Sequence, residues 1–170
     1  MRQIFLFPMA MFSLLLAGGI FGFFYAWVCS TMWGLDQADP NVAISAMQAM
    51  NASVRNGIFA PAFFGTPFVM MLTGAVAYRS GRKVAAASFG AGGIIYLLGG
   101  MVLTMAVNVP MNQALALVET PMELTRASEV WNAYSGPWQT WNITRTVASG
   151  VALLLAGVGL WSLQRAPVTR

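Results

Sequence analysis

Ile4 to Val28 reads IFLFPMAMFSLLLAGGIFGFFYAWV, a run of 25 residues without a charge. At about 1.5 Å of helical rise per residue, roughly 20 such residues cross a hydrocarbon core about 30 Å thick. The run exceeds the roughly 7 to 15 residues of a signal-peptide core, and no small-x-small cleavage site closes it. An uncleaved spanning helix is expected. Trp27, two residues before Cys29, makes this a poor lipoprotein cleavage site as well.

Three further stretches have the same character: Ile58 to Tyr78, Val84 to Val107, and about Ile143 to Leu163. Hydrophobic residues make up 58% of the chain and charged residues 8%, against roughly 25% charged in a soluble domain. The expected fold is all-α: a single domain over residues 1–170, an integral membrane four-helix bundle surrounded by lipid. The net charge of +4 comes from basic residues in short segments beside apolar spans, which are topology signals and not a nucleic-acid surface. No nucleic-acid partner is expected.

Arg2, Arg79, Arg82, Lys83, Arg165 and Arg170 fall on one side of this arrangement with no acid among them. The two long connections on the other side hold all the acids, Asp36, Asp39, Glu119, Glu123 and Glu129, together with Arg55, Arg126 and Arg145. By the positive-inside rule both termini and the tight second connection face the cytoplasm, in a multi-pass protein of the cell membrane.

Each long connection is expected to hold a short amphipathic helix. In the first, Asp39 is an N-cap, Pro40 the first helical residue and Gly57 the stop. Ile44, Met47, Met50 and Val54 form its apolar face, opposite Ser45, Gln48 and Ala52. In the second, Thr120, Pro121 and Glu123 form a capping box that opens a helix carrying Leu124, Trp131 and Tyr134. Ser135, Gly136 and Pro137 are expected to end it, with Pro137 starting the fourth span.

Pro67 and Pro110 interrupt the hydrogen-bond ladders of the second and third spans and free the carbonyls of Phe63 and Ala106. In lipid those carbonyls need partners, so both breaks are expected inside the bundle or along a cavity. Gly18 and Gly22, with Gly92, Gly93, Gly99 and Gly100, are expected to permit close helix contact.

The polar residues near the outer ends are the candidate site. Trp138, Asn142, Arg145 and Ser149 are spaced four, three and four apart and share a helix face, with Trp141 beside them. Asn108 and Asn112 flank Pro110, and Asn51 and Arg55 end the first outer helix. An arginine inside a span costs about 2.5 to 3.5 kcal/mol at mid-bilayer by insertion scales, so Arg145 must face a polar interior or snorkel. It is expected to point into the bundle toward Asn108 or Asn112. The bland reading makes the tryptophans an aromatic belt, the asparagines interhelical glue and Arg145 an interface anchor.

The run TMAVNVPMN, residues 104 to 112, followed by WQTWNITR, residues 138 to 145, and preceded by AMQAMN, residues 46 to 51, resembles the anthrone oxygenase-like family of small four-helix membrane proteins, long described as a domain of unknown function. The likeness covers nearly the whole chain. It implies a membrane four-helix bundle and, through its few characterised members, cofactor-independent oxygenation of polyketide anthrones to quinones.

Oxygenation without a cofactor needs a base to make an electron-rich anion and a cation to hold it. Arg145 or Arg55 can hold the anion. The chain has no histidine, which leaves Glu119, Glu123, Asp36, Asp39 or Tyr134 as candidate bases. The missing histidine and the single cysteine also argue against haem, zinc or another mononuclear metal, so no cofactor and no metal are expected. Met70, Met71, Met101 and Met105 read as packing residues before they read as copper ligands.

Two function classes follow. The first is a binder of a hydrophobic, aromatic small molecule in an outward-facing pocket, working as a cofactor-independent monooxygenase. Arg145, Asn142, Asn108 and Asn112 are its candidate catalytic residues, and Trp138, Trp141, Asn51 and Arg55 line its ligand site. The second is a non-catalytic subunit or scaffold of a membrane complex or homo-oligomer. A transporter ranks third, since four spans without an internal repeat would need an oligomer.

Overall fold

The computed structural model describes residues 2–164 and the side chains of residues 5–164. The side chain of Arg2, and Arg165 and Arg170, on which the charge asymmetry partly rests, lie outside the described residues. The fold is all-α, with four helices long and apolar enough to cross a membrane: α1, Phe5–Asp36; α3, Phe59–Arg79; α4, Lys83–Ala116; and α5, Leu124–Gln164. A shorter helix, α2, Pro40–Ser53, fills the first long connection. The long helices run up and down in a ring, each packed on two neighbours in the order α1, α3, α4, α5.

The α3–α4 turn is tight because Gly81 takes φ +74°, a conformation only glycine adopts cheaply. Beyond it the two helices stay in backbone contact. A Cβ added at Gly93 would lie 2.9 Å from the Pro67 carbonyl oxygen, which belongs to backbone and cannot swing away. Gly93→Ala is therefore expected to lower the thermal midpoint in detergent, by overpacking worth about 1–3 kcal/mol. The close approach expected at Gly18 and Gly22 is not made: Gly22 has open space where a side chain would go, and Gly18 meets only Leu153 at 3.8 Å.

Pro67 is buried in the bundle, and the carbonyl it frees finds the partner lipid cannot supply. Tyr96 Oη donates to Phe63 O at 3.0 Å, which ties α4 to α3 across the break.

Three sequence expectations about the helices fail, each for a local reason. The third span does not end at Val107. Wide π-helical turns at Leu97–Val102 and Thr104–Asn108 shift the ladder, with the Val109 N–H bonding five residues back to Thr104 O, and the helix continues through Pro110 to Ala116. Pro110 itself is exposed, neither buried nor on a cavity. Nor do Ser135, Gly136 and Pro137 end a helix, and the second connection holds no separate amphipathic helix. Those residues belong to the first half of α5, which continues unbroken to Gln164. Pro137 and Ala133, whose carbonyl it deprives, both face outward. On the inner face the Asp36 carboxylate accepts from Trp131 Nε1 at 3.0 Å, Ser135 Oγ at 2.6 Å and Gln139 Nε2 at 2.9 Å, clamping α5 to the end of α1 across the proline.

The capping box also moves. Glu123, not Thr120, caps α5, accepting from the main-chain N–H of Thr125 at 2.9 Å and of Arg126 at 3.1 Å. Those amides hold its carboxyl below its ordinary value. A depressed pKa means stabilisation present above the ordinary Glu value and lost as pH falls through the folded one. The protection of the Thr125 and Arg126 amides against exchange, relative to their intrinsic rates at each pH, should fall on acidification below about pH 4.3, and Glu123→Gln should remove that dependence.

The cap of α2 is as expected, with Asp39 Oδ1 accepting from Asn41 N at 2.9 Å ahead of Pro40. The helix stops at Ser53, short of Gly57. Asn56 then caps α3 through Ile58 N and Phe59 N, each at 2.9 Å. Ala43, Ile44 and Met47 are buried beneath α2. Gln48, read from sequence as part of its polar face, instead donates to Leu115 O and Val118 O, both at 2.8 Å, and holds the end of α4.

Candidate functional site

Arg145 sits on α5 with only 5% of its surface exposed. It points into the bundle, but its partners are not Asn108 or Asn112. Its Nη2 donates to Asn142 Oδ1 at 2.9 Å, and Nη1 to Thr104 Oγ1 of α4 at 3.3 Å. The guanidinium lies between two aromatic faces, 4.8 Å from the Phe24 ring centre and 5.1 Å from that of Trp138. Asn142 is aimed by its other end: Nδ2 donates to Phe24 O at 3.2 Å, which turns its oxygen toward the arginine. Arg145 Nε is buried and has no hydrogen-bond partner among the described residues. All the groups that hold this charge are neutral.

Above it, Asn112 Oδ1 accepts from Tyr134 Oη at 2.8 Å and from Trp138 Nε1 at 2.9 Å. Asn51 Nδ2 of α2 reaches Tyr134 Oη at 3.5 Å. Tyr134, Trp138, Asn142 and Arg145 descend one face of α5, and the α4 residues Asn112 and Thr104 meet them.

This face borders a cavity of about 600 Å³ between the upper halves of α3 and α4, with α1 behind it. Its walls are aromatic: Phe23, Phe24 and Trp27 from α1, and Phe59, Phe63 and Phe64 from α3. Its polar lining includes Arg145, Arg55, Asn51, Asn112, Thr104 and Gln113. Two arginines therefore line a space that no carboxylate lines.

The family model for anthrone oxygenase matches residues 57–155, more than half of the chain. The chain belongs to this family. No curated protein and no solved structure matches it.

The matched segment contains Arg145, Asn142, Asn108, Asn112 and Trp138, and the fold distributes them unequally. Arg145, Asn112, Asn51 and Arg55 line the cavity, whereas Asn142 and Trp138 hold Arg145 from the side. Asn108 is fully buried, and neither atom of its amide has a partner among the described residues. Trp141 is 38% exposed and does not line the cavity. Of the bases considered from sequence, Asp39 and Glu123 cap helices, Asp36 clamps α5, and Glu119 is exposed. None of them lines the cavity. Among the described residues no three Cys, Asp or Glu side chains converge as a metal ion would need.

The aromatic walls from α1 and α3 and the Thr104 contact were not picked out from sequence. Phe and Trp in an uncharged span carry no polar neighbour to mark which face looks inward.

Proposed function

We propose that this protein binds an electron-rich aromatic molecule of the anthrone type in its deprotonated form and oxygenates it with dioxygen. The observation that carries this reading is the buried Arg145, held only by neutral partners, facing an aromatic cavity that no carboxylate lines. A cation so placed favours the ionised form of any weak acid bound beside it. A planar guanidinium offers two parallel donors to an oxyanion. Aromatic walls receive the flat rings with offset or edge contacts.

The reaction balances without a further reductant. Loss of a proton from the anthrone methylene gives the anthrolate, whose oxygen Arg145 holds. The carbanionic carbon passes electrons to dioxygen and bonds one of its atoms, giving a peroxide at that carbon. Loss of water from the peroxide leaves the second carbonyl of the quinone. Carbon is oxidised from CH2 to C=O; one oxygen atom stays in the product and the other leaves as water. Arg145 lowers the cost of ionisation, and water at the polar rim beside Arg55 and Gln113 accepts the methylene proton, which returns to the peroxide before water is lost.

Oxygen uptake by the purified protein in liposomes, with anthrone supplied, tests this reading. One dioxygen per quinone, without added reductant, is expected. Uptake no faster than in protein-free liposomes would favour the non-catalytic alternative, a subunit or scaffold in which the same residues only pack.

A further inference from the structure

Helices α3 and α4 are not equally close along their length. From the turn at Gly81 to Pro67 they touch backbone to backbone: a Cβ at Gly74 would lie 2.9 Å from Gly90 N. Their last hydrogen bond is Tyr96 Oη to Phe63 O. Immediately beyond Tyr96, α4 changes to π-helical geometry and the two helices part. The cavity opens in the gap.

The edges of that gap are apolar and outward-facing. Phe64 is 45% exposed and Met105 49% exposed, and both also line the cavity. Each ends a stripe of exposed apolar side chains. Phe64, Phe68 and Leu72 recur every four residues on α3, and Ile94, Leu98, Val102 and Met105 run along α4. Exposed stripes of this kind on a spanning helix face hydrocarbon. At the end beyond them the lining turns polar, with Arg55, Asn56 and Gln113, while Thr104 and Arg145 lie on the inner walls.

We propose that the cavity takes its ligand sideways from the bilayer, through the gap between Phe64 and Met105. The proposal rests on the binding function assigned to the cavity above. The ligand class is then a membrane-dissolved amphiphile: flat apolar rings that enter from the acyl chains, and one acidic oxygen that ends at Arg145. A molecule held in water by several charges would not use this route. The π-helical turns of α4 keep the gap open, because their wider ladder turns the backbone away from α3 just where close packing would seal it.

The test is a removable bridge across the gap. In a Cys29→Ala background, the pair Phe64→Cys and Met105→Cys is joined in phosphatidylcholine liposomes by a bis-methanethiosulfonate reagent, which forms a mixed disulfide at each cysteine and releases methanesulfinate, and bridging is checked by mass. Anthrone is added without oxygen, and its association and dissociation are followed through quenching of Trp27 and Trp138 fluorescence. Relative to the same double-cysteine variant before bridging, both rates are expected to slow by about tenfold with Kd nearly unchanged, the signature of a gate. Reduction should restore both rates. If no bridge forms, Val102→Trp, on the same exposed stripe one turn from Met105 and outside the cavity lining, should slow both rates in the same way. Binding with rates unaffected by the bridge or by the tryptophan would overturn the lateral route alone. Absence of anthrone binding to the unbridged protein would overturn the binding function and the route with it.

Discussion

Arg145→Met should cut oxygenation sharply and make the protein more stable, a pair of effects that separates a functional arginine from a structural one. The guanidinium is buried, its neighbours are neutral, and its Nε lacks a partner among the described residues. Desolvating such a charge costs several kcal/mol, and replacing buried charges by apolar residues of similar volume is often stabilising, by about 1–4 kcal/mol. A gain of 1 kcal/mol raises the midpoint of a chain of this size by about 2–4 °C. Turnover should fall by roughly 10²–10³, the usual loss when one donor to a developing oxyanion is removed. Arg145→Lys should keep the fold and lose most of the binding, since an ammonium cannot present two parallel donors. A drop in stability for Arg145→Met, with activity intact, would assign the residue to packing.

The second large effect is expected at Asn112, and on stability. Its single oxygen accepts from both Tyr134 Oη and Trp138 Nε1, and both of those rings are buried. Asn112→Leu removes the acceptor and leaves two donors without water, each costing about 1–3 kcal/mol. The loss should total about 2–6 kcal/mol in reversible unfolding in detergent, near the limit of what a marginally stable protein tolerates. Asn112→Asp keeps an acceptor and should recover most of it. Equal stability of the leucine and aspartate variants would show that these hydrogen bonds do not hold the face of α5.

The four spans were legible because about 20 uncharged residues in a row have few other readings. The inner face of each span was not. On α1 as far as Trp27 the buried positions are Leu6, Ala10, Ser13, Ala17, Ile20, Phe24 and Trp27, spaced alternately four and three as in a bundle seam. The intervening positions are equally apolar, so hydropathy alone shows no phase. On α5 polar residues mark the phase, which is why Trp138, Asn142 and Arg145 were grouped correctly on one face. Trp141 is one residue out of that register and turns outward. Prolines misled in a consistent way. Proline carries a strong prior for ending a helix, but at Pro110 the missing N–H is absorbed by the preceding π-helical turn, and at Pro137 the disturbed carbonyl faces outward while Asp36 holds the opposite face. Neither a π-helical turn nor a clamp between residues about a hundred apart is written in local sequence. The acids illustrate the same limit: their absence from the four apolar runs was plain, but Asp36 proves to close α1 and Glu129 to lie on α5, not in the connections, and whether any reached the cavity depended on which of them the helix ends needed as caps.

The central claim is that the cavity holds its ligand as an anion against Arg145. The absorption spectrum of anthrone bound to the purified protein, recorded at neutral pH with oxygen excluded, reads this directly. The expected spectrum is that of the anthrolate, and it should revert to the neutral keto form in Arg145→Met. Anthrone bound tightly to the parent protein but absorbing as the neutral molecule would contradict the claim.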